Sequence, residues 1–391
     1  MESCYHRAMN IFKNNKKLYQ VLAIIIACFA IIMFVKNDAF LYKTPVASVT
    51  SVHNTKEEPK TGFDGKREYE EAYYSQVIKA KVLNGKNKGK IVTLKNEYGN
   101  SLVYDSKYKK GDQVFIESLT TSKDGLTAVI SGSKRDYYVA LALTIMTALF
   151  LIIGEKEGFI TLLSLAINLI FFYFVLVLYF KGHNILLMCI PMAIIFTALL
   201  LFSMYGKNRK TLLSFVASMI ALVLTTLITV ITMHFSGNID YDFMDYLIQP
   251  YDQKDANYIF LSEVIICSMG AIMDVVITII ATIDEIVTLR KGEFTSKEIL
   301  ASSRKIGDEI VGTMISIMFF TNIAAVLPLA IISMRNGIAL TTVLRYNSFF
   351  EIARFLIGSI GTVLAIPVSA GVAILYYRKR YNKEEKEDAI C

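Results

Sequence analysis

The chain has 391 residues, of which 54% are hydrophobic and 19% are charged, and its formal net charge is +7. A water-soluble chain of this length needs more polar surface, so the composition excludes a fully soluble protein and predicts an integral membrane protein. The positive charge does not indicate nucleic-acid binding, because the basic residues are divided between a polar region and short loops, without a basic-aromatic stripe.

The first apolar block covers residues 18–35 and follows a short segment, 1–17, that contains Lys13, Lys16 and Lys17. Basic residues before an apolar run are also found in signal peptides, so cleavage is one interpretation of this block. We favour a retained membrane anchor, because the apolar run is long and no small-x-small cleavage site follows it.

A polar region separates this anchor from the next apolar block. Residues 36–75 contain little apolar material and are predicted to form a linker outside the cytoplasm. Residues 76–133 alternate between apolar and polar side chains in short runs, and Asn84-Gly85 and Lys110-Gly111-Asp112 suit tight turns between them. We therefore expect a small antiparallel β-barrel of the OB or SH3 type; the strand candidates are 77–83, 91–94, 112–116 and 126–130.

Residues 137–377 contain further apolar blocks that are long enough to cross a hydrocarbon core about 30 Å thick. The blocks are 137–153, 159–180, 185–205, 211–235, 258–283, 311–333 and 352–377. With the anchor, they predict a predominantly α-helical membrane protein with about eight spans. Thr295-Ser296-Lys297-Glu298 resembles a capping box, so an amphipathic helix is expected near 295–310 on the cytoplasmic side, and 378–391 forms a C-terminal tail.

Basic residues near the ends of spans stay preferentially in the cytoplasm, and they indicate the orientation of the chain. With the N-terminus inside, the inner segments hold eighteen Lys and Arg residues and the short outer loops hold four. Both termini are therefore predicted to lie in the cytoplasm.

Asp274 lies near the centre of the sixth apolar block, where an ionised side chain is expensive and usually serves a function. At helical spacing, one face also carries Glu263, Gly270, Thr278 and Glu285, and we expect this polar stripe to face the interior of the helix bundle. In the functional interpretation, Asp274, Glu263, Gly270, Thr278 and, in the next block, Asn322 line a pathway for an ion or substrate.

The alternative is purely structural. Asp274 would be buried and bonded to a hydroxyl such as that of Thr313 or Ser316, and Gly270 would admit a neighbouring helix. Glu263 is near the outer boundary, so solvation there is the simpler interpretation. Small residues at helical spacing in the eighth block, including Gly358 and Gly361, are typical of close helix packing.

Catalytic and metal-binding patterns are missing from the sequence. The five cysteines form no CxxC pair and the four histidines form no HExxH motif, so we expect neither a metal site nor a cofactor. An intramembrane hydrolase needs paired carboxylates or a Ser-His pair, whereas Asp274 has no second mid-span Asp and His234 is at the end of a block. We therefore expect that the protein is not an enzyme.

Two further motifs stand out around the sixth and seventh blocks. Gly270-Ala271-Ile272-Met273-Asp274-Val275 is followed, after a basic loop, by a run from Ser303 to Met314, and together they resemble the YibE/F family of bacterial membrane proteins. The resemblance extends to the order of the domains, since members place a small polar domain after a first span. It implies a location in the bacterial cytoplasmic membrane, but it supplies neither a substrate nor a mechanism.

The leading functional hypothesis is a secondary transporter or permease for an ion or small solute that uses Asp274. The alternative is a non-transporting scaffold or sensor whose outer β domain binds a partner. The expected partners are the lipid bilayer, an unknown ion or small solute, and a membrane-protein partner or a second copy of the chain.

Overall fold

The structure is a computed structural model that describes residues 2–63, 68–103, 105–122, 125–237, 239, 241, 252–290 and 294–388. The chain divides into two compact units, residues 1–159 and 160–391. The strands are β1 (Val46–Lys56), β2 (Lys60–Phe63), β3 (Glu68–Glu71), β4 (Tyr73–Val82), β5 (Ile91–Gly99), β6 (Gln113–Ser122) and β7 (Gly125–Ser133). The helices are α1 (Glu2–Lys36), α2 (Asp136–Phe180), α3 (Ile185–Tyr205), α4 (Arg209–Phe235), α5 (Gln253–Leu289), α6 (Ser296–Arg335), α7 (Leu340–Val343) and α8 (Phe349–Asp388).

The β domain of the first unit is a ladder of five strands in the order β1-β4-β5-β7-β6. β6 also pairs with β1, so the ladder closes on itself, and β5 and β7 form its parallel pair. Alternate side chains of the strands point inward, where Ile78, Leu94, Val114 and Ile116 are fully buried. The strands predicted from alternation are therefore present, and β2 and β3 form a separate hairpin.

The β domain begins earlier in the sequence than predicted. Residues 46–56, part of the predicted 36–75 linker, form β1, which pairs with β4 along most of its length. Val46, Ala47 and Val49 of β1 are buried, and Ala47 and Val49 belong to the core of the β domain. Val and Ala are the only apolar residues of this strand and Ser and Thr interrupt them, so it has little of the apolar mass that marks a buried segment. Its core role follows from pairing with β4, which sequence composition does not reveal.

A buried cation ties the β domain to the two helices of the first unit. The ammonium of Lys134, between β7 and α2, is 2.8 Å from carboxylate oxygens of both Asp38 and Asp136, and it donates to the backbone carbonyl of Val35 at 2.8 Å. The phenol of Tyr42 donates to the Asp136 carboxylate at 2.6 Å. The Lys134 side chain is 1% exposed, so each of its hydrogen bonds replaces one lost from water.

Seven helices in the described part of the chain are long and apolar enough to cross a membrane, and they indicate a membrane protein. The sequence predicted about eight spans. The described structure has one helix fewer because the predicted blocks 137–153 and 159–180 both fall within α2. This helix is interrupted at Glu155, whose φ of 47° and ψ of −119° are not helical. Gly158 lies against the backbone of Phe150, whereas residues eight apart in a straight helix are separated by about 12 Å. The helix axis therefore turns sharply at Glu155.

The predicted amphipathic helix near 295–310 is the first part of the longer helix α6. Its capping box is present, with the Glu298 carboxylate accepting from the backbone N–H of Thr295 at 3.0 Å. Ile299, Ser303 and Gly307 are buried on one face, while charged residues such as Asp308 are exposed. The helix then continues without a break to Arg335, so the predicted surface helix and the seventh span are one element.

Helix α5 is the most buried helix of the second unit. Val275, Val276, Ile279 and Ile280 are fully buried against α3, α4 and α8. Helix α8 packs closely because its contact face is small; a Cβ on Gly361 would lie 2.6 Å from the Thr225 hydroxyl of α4. The small residues of the eighth block are thus packing residues.

Candidate functional site: a charged cleft in the second unit

Three charged side chains meet where α5 approaches the beginning of α8. The guanidinium of Arg354 forms ion pairs with the carboxylates of Glu263 on α5 and Glu351, one turn earlier on α8. The Arg354 side chain is 13% exposed, Glu351 is 20% exposed and Glu263 is 41% exposed. One cation therefore faces two carboxylates, and the more exposed carboxylate is Glu263.

A cleft of about 480 Å³ opens beside this charged group. Glu263 and Arg354 form part of its wall, together with Asn322 of α6, and most of the remaining lining is apolar. The Asn322 amide donates to the backbone carbonyl of Met318 at 2.7 Å, which fixes its side chain on the wall. The other lining residues are Phe172, Val175, Ile185, Cys189, Ile259, Ser262, Ile266 and Cys267.

The Arg354 guanidinium has one hydrogen-bond donor that the described residues do not use. Its two terminal nitrogens are used by the carboxylates, while its Nε is buried and has no hydrogen-bond partner in the part of the chain that the structure describes. A buried donor without a partner costs free energy, and such groups occur where a ligand or water completes the site. A cleft lined by the Glu263 carboxylate, the Arg354 guanidinium and the Asn322 amide can thus bind a small polar or charged species.

Asp274 lies outside this cleft. It is exposed, as are Gly270 and Thr278. The expectation that the polar stripe of α5 faces the interior of the helix bundle is therefore wrong for these residues. The interior face of α5 is instead the β-branched face that contains Val275, Val276 and Ile279. Because both faces are largely apolar, the rarer polar residues mark the outward face here.

The structural alternative predicted a hydrogen bond from Thr313 or Ser316 to the Asp274 carboxylate, and the described hydrogen bonds differ from it. The hydroxyl of Thr278 donates to the backbone carbonyl of Asp274 at 2.8 Å, and the hydroxyl of Ser316 donates to the carbonyl of Gly312 at 2.8 Å. Neither Ser316 nor Thr313 donates to the Asp274 carboxylate among the described contacts. Among the described residues, no atom of another element lies within 4 Å of a Cβ placed on Gly270, so none of the described helices approaches closely there.

A second polar contact lies at the other end of α5. The phenol of Tyr377, near the end of α8, donates to the carboxylate of Asp284, and the Lys210 ammonium of α4 is 3.5 Å from the same carboxylate. This contact joins three helices at one level. Asp284 is thereby held by a hydrogen bond and an ion pair, unlike Asp274.

The structure thus brings together two of the five candidate pathway residues, Glu263 and Asn322. Arg354 and Glu351 were missed, although their signal was present: Arg354 is a charge inside the block 352–377, three residues after Glu351. In the described part of the chain, no three His, Cys, Asp or Glu side chains lie close enough together to hold a metal ion.

Comparison with known proteins gives matches to two family models. Residues 142–379 match the model of the YibE/F-like protein family, and residues 40–133 match that of the YibE/F family N-terminal domain. No curated protein and no solved structure matches the chain. The two matches follow the two parts of the structure, since the first covers most of the apolar helices and the second covers all of β1 to β7. The chain belongs to the YibE/F-like family.

Proposed function

We propose that this protein is a secondary transporter or permease for an ion or small solute, and that its substrate passes through the cleft beside Glu263 and Arg354. The observation that carries this proposal is the charged group itself: the Glu263 carboxylate and the Arg354 guanidinium lie on the wall of a 480 Å³ cleft among apolar helices, and Glu351 pairs with the same guanidinium. A charge group that served only packing would be expected to be closed and fully paired.

The charge balance favours a cation or proton as the transported or coupling species. Arg354 neutralises one of the two carboxylates, and Glu263 is exposed enough to release its ion pair without burying an unpaired charge. A cation that binds Glu263 competes with Arg354, whose guanidinium still has Glu351 as a partner. The two carboxylates and the guanidinium together have a net charge of −1, and a bound proton or monovalent cation brings this charge to zero.

Helix α5 supplies further carboxylates along its length. Glu263, Asp274 and Glu285 are spaced by eleven residues, which is close to three helical turns, so they lie on one face about 16 Å apart. The three side chains together extend over about 33 Å, comparable to the hydrocarbon thickness of a bilayer. We include Asp274 and Thr278 in the proposed pathway because they lie on this face, between the cleft and the far end of the helix.

The proposed topology has eight crossings in the bacterial cytoplasmic membrane. The sharp turn at Glu155 supports counting α2 as two crossings, and the adjacent Lys156 suits a cytoplasmic turn. Both termini then lie in the cytoplasm, and the β domain lies on the opposite side of the membrane. The eighteen basic residues assigned to the inner segments support this orientation.

The test is flux through purified full-length protein in proteoliposomes that contain a pH-sensitive dye, measured with a panel of cations and small solutes. We expect wild-type flux with at least one species and its loss in Glu263→Gln and in Asp274→Asn. Arg354→Lys keeps the positive charge but not the planar fork, so we expect reduced flux rather than none.

Asp308→Asn is the matched control, because Asp308 is an exposed carboxylate on the first part of α6, away from the proposed pathway. It should transport like the wild type. Absence of flux from correctly folded wild-type protein over the whole panel would contradict transport, and equal losses in all three carboxylate variants would contradict the assigned pathway.

A scaffold or sensor function is the second candidate, and the β domain provides an observation in its favour. The strand order β1-β4-β5-β7-β6, with its parallel β5-β7 pair, supports an OB-type barrel, a fold that commonly binds ligands on the face of its second and third strands. On the corresponding strands here, Tyr74 and Tyr98 stack at 5.2 Å and Lys107 lies 5.4 Å from the Tyr98 ring. A partner protein retained only by the intact β domain, in a protein without flux, would favour this function.

A further inference from the structure

A second cavity, of about 720 Å³, lies in the first unit where the β domain meets its two apolar helices. It is formed by the end of α1, the segment before β6, the end of β7 and the first turn of α2. Its lining is strongly basic and contains Lys36, Lys107, Lys109, Lys110, Lys134 and Arg135, against the single carboxylate of Asp112.

Most of this positive charge is not neutralised by the protein. Lys134 belongs to the buried group with Asp38 and Asp136, so its charge is already balanced. Lys36, Lys109 and Lys110 are exposed and make no ion pair within the described residues. Asp112 accepts from the backbone N–H of Lys109 at 2.7 Å, so its carboxylate is already hydrogen-bonded to the loop. The cavity therefore attracts an anion.

Arg135 adds a positioned donor group. Its guanidinium donates to the Ser106 hydroxyl at 3.0 Å through one nitrogen, which holds the side chain in place and leaves further N–H groups for a ligand. A fixed guanidinium among several lysines is the donor set that proteins use for phosphate oxygens. The chemical group that fits this cavity is a phosphate monoester or diester.

The position of the cavity favours a phosphate that belongs to a lipid. Lys36 is the last residue of the apolar helix α1, and Tyr137 and Tyr138 lie in the first turn of α2. Tyrosine is enriched at the level of lipid headgroups, with basic side chains reaching the same level.

Below this level, the two helices offer apolar surface for acyl chains. Phe34 on α1 is 56% exposed, and Val139 and Leu143 on α2 are 70% and 58% exposed. The thiol of Cys28 lies 3.9 Å from the backbone carbonyl of Thr144, so the two helices run side by side there. A headgroup in the cavity would thus have its chains beside exposed apolar side chains of both helices.

We propose that this cavity binds the phosphate headgroup of an anionic phospholipid, and that the bound lipid fixes the β domain at the membrane surface. The site does not depend on transport through the cleft, because it uses other residues and another ligand.

The test is lipid binding to delipidated full-length protein in a neutral detergent, with phosphatidylglycerol titrated at constant ionic strength and bound lipid counted by native mass spectrometry. The variant Lys109→Glu/Lys110→Glu places two negative charges in the cavity, and we expect binding to weaken roughly tenfold or more. The neutral variant Lys109→Gln/Lys110→Gln should show a smaller loss, which separates the loss of attraction from repulsion.

The matched control is Lys79→Glu/Lys95→Glu, since these two lysines are exposed on the neighbouring strands β4 and β5 and do not line the cavity. It changes the net charge equally and should bind phosphatidylglycerol like the wild type. Equal weakening in both charge-reversal variants would overturn the proposal, because it would indicate a general electrostatic effect.

Competition by inorganic phosphate at concentrations similar to those of the lipid would also overturn the proposal, in favour of a soluble ligand. Phosphatidylcholine should bind less tightly than phosphatidylglycerol.

Discussion

Two groups of charges in this protein have the same composition but different surroundings. Lys134 with Asp38 and Asp136 lies at the base of the β domain, and Arg354 with Glu263 and Glu351 lies beside the cleft between apolar helices. Each consists of one cation and two carboxylates. Lys134 is 1% exposed and also bonded to a carbonyl, whereas Glu263 is 41% exposed and lines a cleft.

Charge composition alone therefore does not separate a structural group from a functional one. A buried group does not tolerate the loss of a member, since the removal leaves a buried charge or dipole unpaired. An open group tolerates the loss of a partner because water or a ligand can replace it. If the two groups differ in this way, equivalent substitutions should have unequal effects on stability.

The largest effect is expected for Lys134→Met, which leaves Asp38 and Asp136 without their cation. We expect a loss of about 3 to 5 kcal/mol in the free energy of unfolding, as for other buried ion pairs broken from one side. Arg354→Met should cost less, about 1 to 2 kcal/mol, because Glu263 can be hydrated where it stands.

The measurement is thermal unfolding of the full-length protein in detergent, followed by size-exclusion chromatography of the remaining monodisperse fraction. Lys79→Met is the control, since Lys79 is exposed on β4 and should change stability by no more than about 0.5 kcal/mol. Equal losses for Lys134→Met and Arg354→Met would remove the proposed distinction between the two groups.

These residues also show how far the sequence predicts the structure. The strands β4 to β7 were predicted because their alternation of apolar and polar side chains is regular, and the membrane character followed from the long apolar blocks. β1 was missed because its only apolar residues are Val and Ala, which Ser and Thr interrupt. Its place depends on pairing with β4, a contact between distant parts of the sequence.

The candidate site was predicted only in part, for a physical reason. In an apolar helix, the lipid-facing and protein-facing sides are both hydrophobic, so periodicity does not reveal which side is buried. Asp274 was therefore placed on the inward face of α5, whereas the structure exposes it. Arg354 was overlooked because it lies at the beginning of an apolar block, where a charge is easily read as a flanking residue.

A smaller effect is expected for Tyr42→Phe, which removes one hydrogen bond from the Lys134 group. The phenol donates to the Asp136 carboxylate at 2.6 Å, and a half-buried hydrogen bond to a charged acceptor contributes about 1 to 2 kcal/mol. This hydrogen bond, followed by burial, raises the pKa of Tyr42 from 10.0 to about 12.

The raised pKa gives this contribution a defined pH dependence. Since Tyr42 binds its proton more tightly in the folded state, its contribution is fully present below pH 10 and is lost as pH rises through about 12. The difference in melting temperature between wild type and Tyr42→Phe should therefore shrink across this interval. A constant difference would show that the phenol contributes by packing and not through its hydrogen bond.

The smallest effect on stability is expected for Glu263→Gln, although we propose that this residue lies in the transport pathway. Its side chain is 41% exposed and Arg354 keeps Glu351 as a partner, so the loss should stay below about 1 kcal/mol. Asp38→Asn removes one of the carboxylates beside Lys134, and because the Asp38 side chain is only 9% exposed it should cost clearly more. Both are compared by the same thermal unfolding measurement. If Glu263→Gln destabilises the protein as much as Asp38→Asn, the Arg354 group is a structural ion pair like the Lys134 group, and Glu263 is not available to a transported ion.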